Sequence, residues 1–394
     1  MAASLAVILL LGLPAKRMFE RLKLPGLLGM LILGVLIGPH GMDLLQESML
    51  QISSDLRSIA LIIILLRAGL GLKKDDLKSV GITALKMSCI PGLIEGLLIA
   101  LASMFFLDFS FIQGGILGFI IAAVSPAVVV PSMLNLMENN IGTKKGVPTL
   151  ILAGASIDDV FAITVFSAFL GLYSGSNMNI GIQLLNIPIS IFMGVMAGVI
   201  LGIVLIQIFK RYNIRDIRKV LLILGVAILL NQLESILKTR LQIASLLGVM
   251  TIGFVIIEKL PNVGERLSNK FNKIWVFAEI LLFVLVGAQV DVNMALKAGG
   301  VGIILIVIGL IGRSIGVLIS LLGTDYNWKE RLFCLIAYIP KATVQAAMGA
   351  VPLSLGVESG DIILAIAVLS ILITAPLGAI GIHNLAGKLL IEKE

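Results

Sequence analysis

Apolar runs long enough to cross a bilayer follow one another from end to end of this chain, broken only by short charged or turn-rich connections. A spanning helix takes about 20 mostly apolar residues. In hydrocarbon a backbone must satisfy its own hydrogen bonds, which a helix does within one segment. Thirteen runs qualify, at roughly 3 to 19, 25 to 42, 51 to 71, 80 to 107, 111 to 137, 147 to 174, 182 to 209, 217 to 235, 241 to 257, 271 to 290, 298 to 323, 330 to 354 and 360 to 386. They leave no polar stretch large enough for a soluble catalytic, nucleotide-binding or nucleic-acid-binding domain. Composition agrees, because 58% of the 394 residues are hydrophobic and 13% charged, with mean hydropathy +1.09, whereas soluble domains are about a quarter charged. The expected fold is an all-α polytopic membrane protein, and not an enzyme.

If thirteen helices alternate in direction, the cations at their ends divide unevenly. One face collects twenty-two Lys and Arg, among them Lys16, Arg17, Arg21, Lys23, Lys73, Lys74, Lys144, Lys145, Lys219, Lys388 and Lys393, while the other holds only Arg57, Lys238, Arg240 and Lys297. Cations concentrate in cytoplasmic loops, so the amino terminus is expected outside, the carboxyl terminus in the cytoplasm, and the chain in the plasma membrane. The net charge of +7 then reflects topology and does not point to nucleic acid. Lys16 and Arg17 follow the first apolar run where a signal peptide would have cations before it, so that run is read as a span. Cys89 and Cys334 sit in apolar runs and suggest inert thiols, with no disulfide framework.

The fifth and twelfth runs are each interrupted by proline, in Val124-Ser125-Pro126-Ala127 and Ile339-Pro340-Lys341-Ala342, about 215 residues apart. Corresponding helices then lie seven spans apart, an odd number, so the second half runs through the membrane in the opposite sense. The expected organisation is a first inverted repeat over 1–174, a linker helix within 175–216 and a second repeat over 217–394. Matched broken helices point to a transporter's substrate site, because unwound backbone is tolerated at membrane depth only where protein or a cavity surrounds it.

The sixth run carries Asp158 and Asp159 about twelve residues into an apolar helix. A charge at the bilayer centre costs about 3 kcal/mol even on lenient scales, so such a pair calls for partners or a use. Adjacent helical positions point about 100° apart, which lets one carboxylate face a cation while the other faces a cavity. Glu95, Arg313 and Lys341 are the other deep charges, and Arg313 has two candidate partners, Glu95 and Asp158. Lys341 sits where half-helix carbonyl ends meet and is suited to neutralise them. Glu279 receives no role. His40 and His383 cannot make a zinc cluster, no Walker lysine motif provides an ATP site, and no potassium-filter sequence is present. No cofactor is expected, and an ion gradient remains as the energy source.

Taken together, Ser125-Pro126-Ala127-Val128-Val129-Val130-Pro131-Ser132-Met133-Leu134, Lys145-Gly146-Val147-Pro148-Thr149, Asp158-Asp159, Pro340-Lys341-Ala342-Thr343-Val344-Gln345-Ala346-Ala347 and Ser370-Ile371-Leu372-Ile373-Thr374-Ala375-Pro376 resemble the cation:proton antiporter superfamily, in the sodium/proton exchanger branch called NHA. The resemblance implies a homodimer of thirteen-helix protomers, each with a dimerisation panel and an ion-carrying core that moves like an elevator, exchanging sodium or lithium for protons. It assigns ion and proton binding to Asp159, with Asp158 as its partner at the sodium site and Ser125 at the unwound crossing. Lys341 matches a cation of the second crossing helix, and Glu95 an acidic residue of the branch. Arg313 stands where many electrogenic relatives have lysine, and arginine cannot release its proton during a cycle.

The chemistry of the residues agrees with exchange. A hard monovalent cation takes oxygen ligands, which carboxylates, a hydroxyl and unwound carbonyls provide, and a proton competes for the same carboxylate. Potassium/proton exchange is the first alternative. Sodium-coupled uptake of an organic anion is disfavoured by adjacent acids, and a passive channel or a receptor is the alternative from another class.

Overall fold

The computed structural model describes residues 1–22, 24–72, 74–173, 180–212, 214–237 and 243–390, without the side chains of 75–77, 79, 180–187, 235, 237, 294 and 295. Lys23, Lys73, Lys238, Arg240 and Lys393 of the charge split, and the repeat boundary at 174/175, lie outside the described residues.

The described residues are helical almost throughout. The helices are α1 (Ala2–Arg21), α2 (Gly26–Ile37), α3 (Glu47–Gln51), α4 (Ser53–Gly71), α5 (Lys74–Phe106), α6 (Phe111–Ile121), α7 (Pro126–Glu138), α8 (Val147–Tyr173) and α9 (Ile180–Arg211). They continue as α10 (Asp216–Leu237), α11 (Ser245–Lys259), α12 (Pro261–Ala288), α13 (Val292–Lys297), α14 (Gly299–Ser320), α15 (Trp328–Ala337), α16 (Thr343–Met348), α17 (Val351–Ser354) and α18 (Gly360–Leu389). Every apolar run of the sequence coincides with one of these helices or with a broken set of them. By length and composition eight described stretches are able to span a bilayer: α1, most of α5, α6 with α7, α8, most of α9, α12, α14 and α18. The other runs form helices that are shorter, such as the 12-residue α2, or richer in charge, so thirteen is not reached by that measure. Several helices outrun their apolar stretch. α12, for example, starts ten residues before its predicted run, at Pro261, because proline suits the first helical turn and polar residues there need no hydrocarbon.

Two packing groups emerge. One joins α1, α2, α4 and α11 to α12, with α9 packed on α11; the other joins α5 to α8 with α14, α15 and α18. Glycines let the helices approach backbone to backbone, as membrane helix pairs require. A Cβ on Gly287 of α12 would lie 2.0 Å from the Leu31 carbonyl oxygen of α2, and one on Gly69 of α4 would lie 1.9 Å from that of Met250 in α11. Gly287→Val therefore forces α2 and α12 apart, at a cost of at least about 1–3 kcal/mol for overpacking. We expect it to lose most of its monodisperse protein on size-exclusion chromatography, while Gly225→Ala, whose added Cβ meets nothing within 4 Å, elutes as wild type.

The two broken helices begin alike. Ser110 caps α6 in a reciprocal box with Gln113, and Asn327 caps α15 in the same box with Glu330, each side chain satisfying amides that a helix start leaves open. Each helix then stops at membrane depth, α6 at Ile121 and α15 at Ala337, and resumes as α7 and α16 after residues 122–125 and 338–342.

Candidate ion-binding site

The two unwound segments meet. The Ser125 backbone N–H donates to the Pro340 carbonyl at 2.8 Å, and the Lys341 N–H donates to Thr374 Oγ1 of α18 at 3.0 Å. Proline explains the exposed carbonyls, because it supplies no N–H and starts a helix more easily than it continues one. The carbonyls at the end of α6 are covered by Gln345, whose Nε2 donates to Ile120 and Ala123 at 2.9 Å each and reaches Ile121 at 3.3 Å. Sequence reasoning gave Gln345 no role. Its one signal is an amide placed just beyond Pro340-Lys341 in an otherwise apolar helix.

Around this crossing the deep charges form one network. Arg313, 2% exposed, donates through Nε to the Tyr338 carbonyl at 2.9 Å and through Nη1 to Glu95 at 2.8 Å and the Ala122 carbonyl at 2.6 Å. Its Nη2 lies 3.0 Å from both oxygens of Asp158. The two partners considered from sequence are thus held together, since the guanidinium fork has donors enough for both. Lys341 donates to the same Glu95 oxygen at 2.7 Å and lies 3.4 Å from the Ala122 carbonyl. Asp158 also accepts from the Val124 N–H at 2.7 Å. Two carboxylates and two cations make up this set without Asp159; Glu95 enters it through Oε2 alone, its Oε1 having no partner among the described residues. The Tyr338 ring lies under the guanidinium, 5.2 Å from Cζ, another residue without a role in the sequence reading.

Asp159 points elsewhere. The helical offset that sends Asp158 to α5 and α14 turns Asp159 towards α9, α10 and α11. There it lines a cleft of about 90 Å³, room for several waters. Asp159 is 8% exposed and its Oδ1 has no hydrogen-bond partner among the described residues, nor do the Oγ of Ser125 and the hydroxyl of Tyr338. A buried, unbonded carboxylate oxygen is costly, and a proton or a cation is the kind of partner that satisfies it.

The remaining deep or interfacial charges lie apart from this centre. Glu279 pairs with Lys16 at 2.6 Å between α12 and α1, Arg67 pairs with Glu138 at 2.7 Å between α4 and α7, and Lys86 is exposed. Cys334 is buried and Cys89 half-buried, both as free thiols. Pro14, Pro91 and Pro376 lie inside α1, α5 and α18.

Three comparisons bear on this arrangement. The family described as "Sodium/hydrogen exchanger, transmembrane" matches residues 5–387. The human sodium/hydrogen exchanger 9B2 is 36% identical over 394 residues, covering 94% of this chain and 71% of the relative. Human sodium/hydrogen exchanger 9B1 is 34% identical over 385 residues, covering 93% and 73%. Among solved structures, the sodium proton antiporter MjNhaP1 from Methanocaldococcus jannaschii superposes with a TM-score of 0.79 at 22% identity, covering 98% of both chains.

Proposed function

The chain belongs to the transmembrane sodium/hydrogen exchanger family, a family of transporters, and from that premise we propose that sodium or lithium and a proton compete for Asp159 in an antiporter working by elevator-type alternating access. The observation that carries this reading is the contrast within one helical turn. Asp158 is tied by Arg313 and the Val124 amide, whereas Asp159 faces a cleft with Oδ1 unbonded. The tied carboxylate, with Glu95, Arg313 and Lys341, holds the unwound segments in place and compensates their charge. The free one takes the cargo, and Ser125, whose Oγ is likewise unbonded, is the hydroxyl we assign to it as a further oxygen ligand. An unoccupied Asp159 carries a bare charge, which is costly to move through the apolar barrier. If only the loaded site crosses, competition alone gives obligatory exchange. The packing group that carries the crossing is the moving core. The group around α4 and α12 is the panel on which it slides and through which two copies pair in the plasma membrane, with the carboxyl terminus cytoplasmic. The two inverted repeats, 1–174 and 217–394, with a linker helix in 175–216 between them, each contribute helices to both the core and the panel.

The test is proton movement in proteoliposomes after addition of sodium, lithium or potassium, with the potential clamped by valinomycin and potassium. Sodium and lithium are expected to drive it; a response to potassium alone would move the assignment to potassium/proton exchange. If Asp159 is the one group that trades its proton, each sodium replaces one proton and the clamp leaves the rate unchanged. The same competition fixes a pH dependence. Lowering cytoplasmic pH loads Asp159 with protons, so the apparent KM for cytoplasmic sodium is expected to rise towards acid pH, and a KM flat from acid to alkaline pH would refute competition.

A further inference from the structure

The cleft beside Asp159 continues away from the charge network, walled by side chains the exchange reading leaves unused. On α8 the wall runs from Ser156 and Asp159 to Thr164 and Ser167; facing it stand Ser190 of α9, Glu234 of α10 and Ser245 of α11. The last three lie in the first third of α9, near the end of α10 and at the start of α11, so the cleft leads from Asp159 towards one membrane face, the one the charge split assigns to the outside.

Its chemistry suits a cation. The hydroxyls of Ser156, Thr164 and Ser167 donate to the carbonyls of Leu152, Val160 and Ile163 at 2.8, 2.7 and 2.8 Å. With their protons tied to their own helix, the oxygens keep lone pairs for a ligand. No cationic side chain lines the cleft among the described residues. At its far end Glu234 places a second carboxylate, steadied by the Ser245 N–H at 3.2 Å and by the Ser245 hydroxyl, which also lies 3.0 Å from Asn231 Oδ1. At its inner end lies the unbonded Oδ1 of Asp159.

We propose that Glu234 and Ser245 form a second, outer site for a monovalent cation, at which sodium or lithium is drawn into the cleft before it reaches Asp159. This rests on Asp159 being the exchange carboxylate. The competing account makes Glu234 only a cap on the first turn of α11, since it accepts the Ser245 N–H. Glu234→Gln separates the two, because the amide oxygen can still accept that hydrogen bond while the charge is gone.

The experiment measures the apparent KM for sodium from each face, in right-side-out and everted vesicles, at several concentrations of choline chloride. A carboxylate in a cleft raises local cation concentration by about tenfold or more, so Glu234→Gln is expected to raise the KM from the cleft face about five- to tenfold and leave that from the opposite face unchanged. The variant's KM is also expected to depend less on choline chloride, since screening acts on the attraction that has been removed. Asn231→Asp, which adds a carboxylate beside Glu234 and keeps an acceptor for Ser245, is expected to shift the cleft-face KM the other way, and it decides the matter should Glu234→Gln fold poorly. A KM for Glu234→Gln equal to wild type, or raised equally from both faces, overturns the outer site while an inert Asp159→Asn leaves the exchange reading standing. An active Asp159→Asn removes both.

Discussion

Asp159→Asn is expected to abolish sodium-dependent proton movement while the protein still folds, elutes and melts close to wild type. The two halves of that expectation have separate causes. Transport is lost because an amide neither releases a proton in the working range nor carries the charge a sodium ion needs. The fold is kept because Asp159 contributes no hydrogen bond through Oδ1 and takes no part in the ion pairs around Arg313. Replacing an unbonded buried carboxylate by a neutral isostere relieves a cost, so the melting temperature is expected to hold or rise. Asp158→Asn should show the opposite pattern: lost stability, because Arg313 gives up one of its two carboxylate partners, with transport impaired through displacement of the crossing. Proteoliposome transport and thermal unfolding in detergent, run on both variants, check the contrast. Full activity in Asp159→Asn would place the site elsewhere.

The second large effect is structural. Arg313→Gln is expected to destabilise the folded protein by about 3–5 kcal/mol, the usual cost of removing one partner from a buried ionic network, read as a fall in melting temperature and in yield. Four elements depend on this side chain at once: Glu95 on α5, Asp158 on α8, and the carbonyls of Ala122 and Tyr338 at the two breaks. Arg313→Lys keeps the charge but not the planar fork, so an intermediate loss is expected. A buried pair removed together behaves differently from one broken. Glu95→Gln combined with Lys341→Met should therefore lose less than the sum of its single variants. A wild-type melting temperature for Arg313→Gln would contradict the network's role.

Much of this site was legible because charge is conspicuous in apolar sequence. Asp158, Asp159, Glu95, Arg313 and Lys341 stand out from hydrocarbon, and Pro126 and Pro340 mark where helices must break, so the residues that meet at the crossing could be named before their distances were known. What remained closed was pairing across long sequence separation. Arg313 reaches Glu95 218 residues away and Asp158 155 away, and nothing in the local sequence says that one guanidinium serves both. Gln345 and Tyr338 were missed for another reason: an uncharged amide and a phenol raise no alarm in a membrane helix, and their work depends on which backbone they face. Glu279 receives no role from sequence because only the packing of α1 on α12 brings it to Lys16. Glu234 escaped because a carboxylate at the end of a span looks like any residue at a membrane surface.

The most direct test of competition at Asp159 is calorimetry of sodium binding to the detergent-solubilised protein in buffers of different ionisation enthalpy, which counts the protons released. If sodium displaces the proton held by Asp159, binding near neutral or acid pH releases up to about one proton per sodium, as expected when a cation requires its ligand deprotonated; release fades at alkaline pH and vanishes in Asp159→Asn. Sodium binding with no proton released at any pH, or release that persists in Asp159→Asn, would contradict the account.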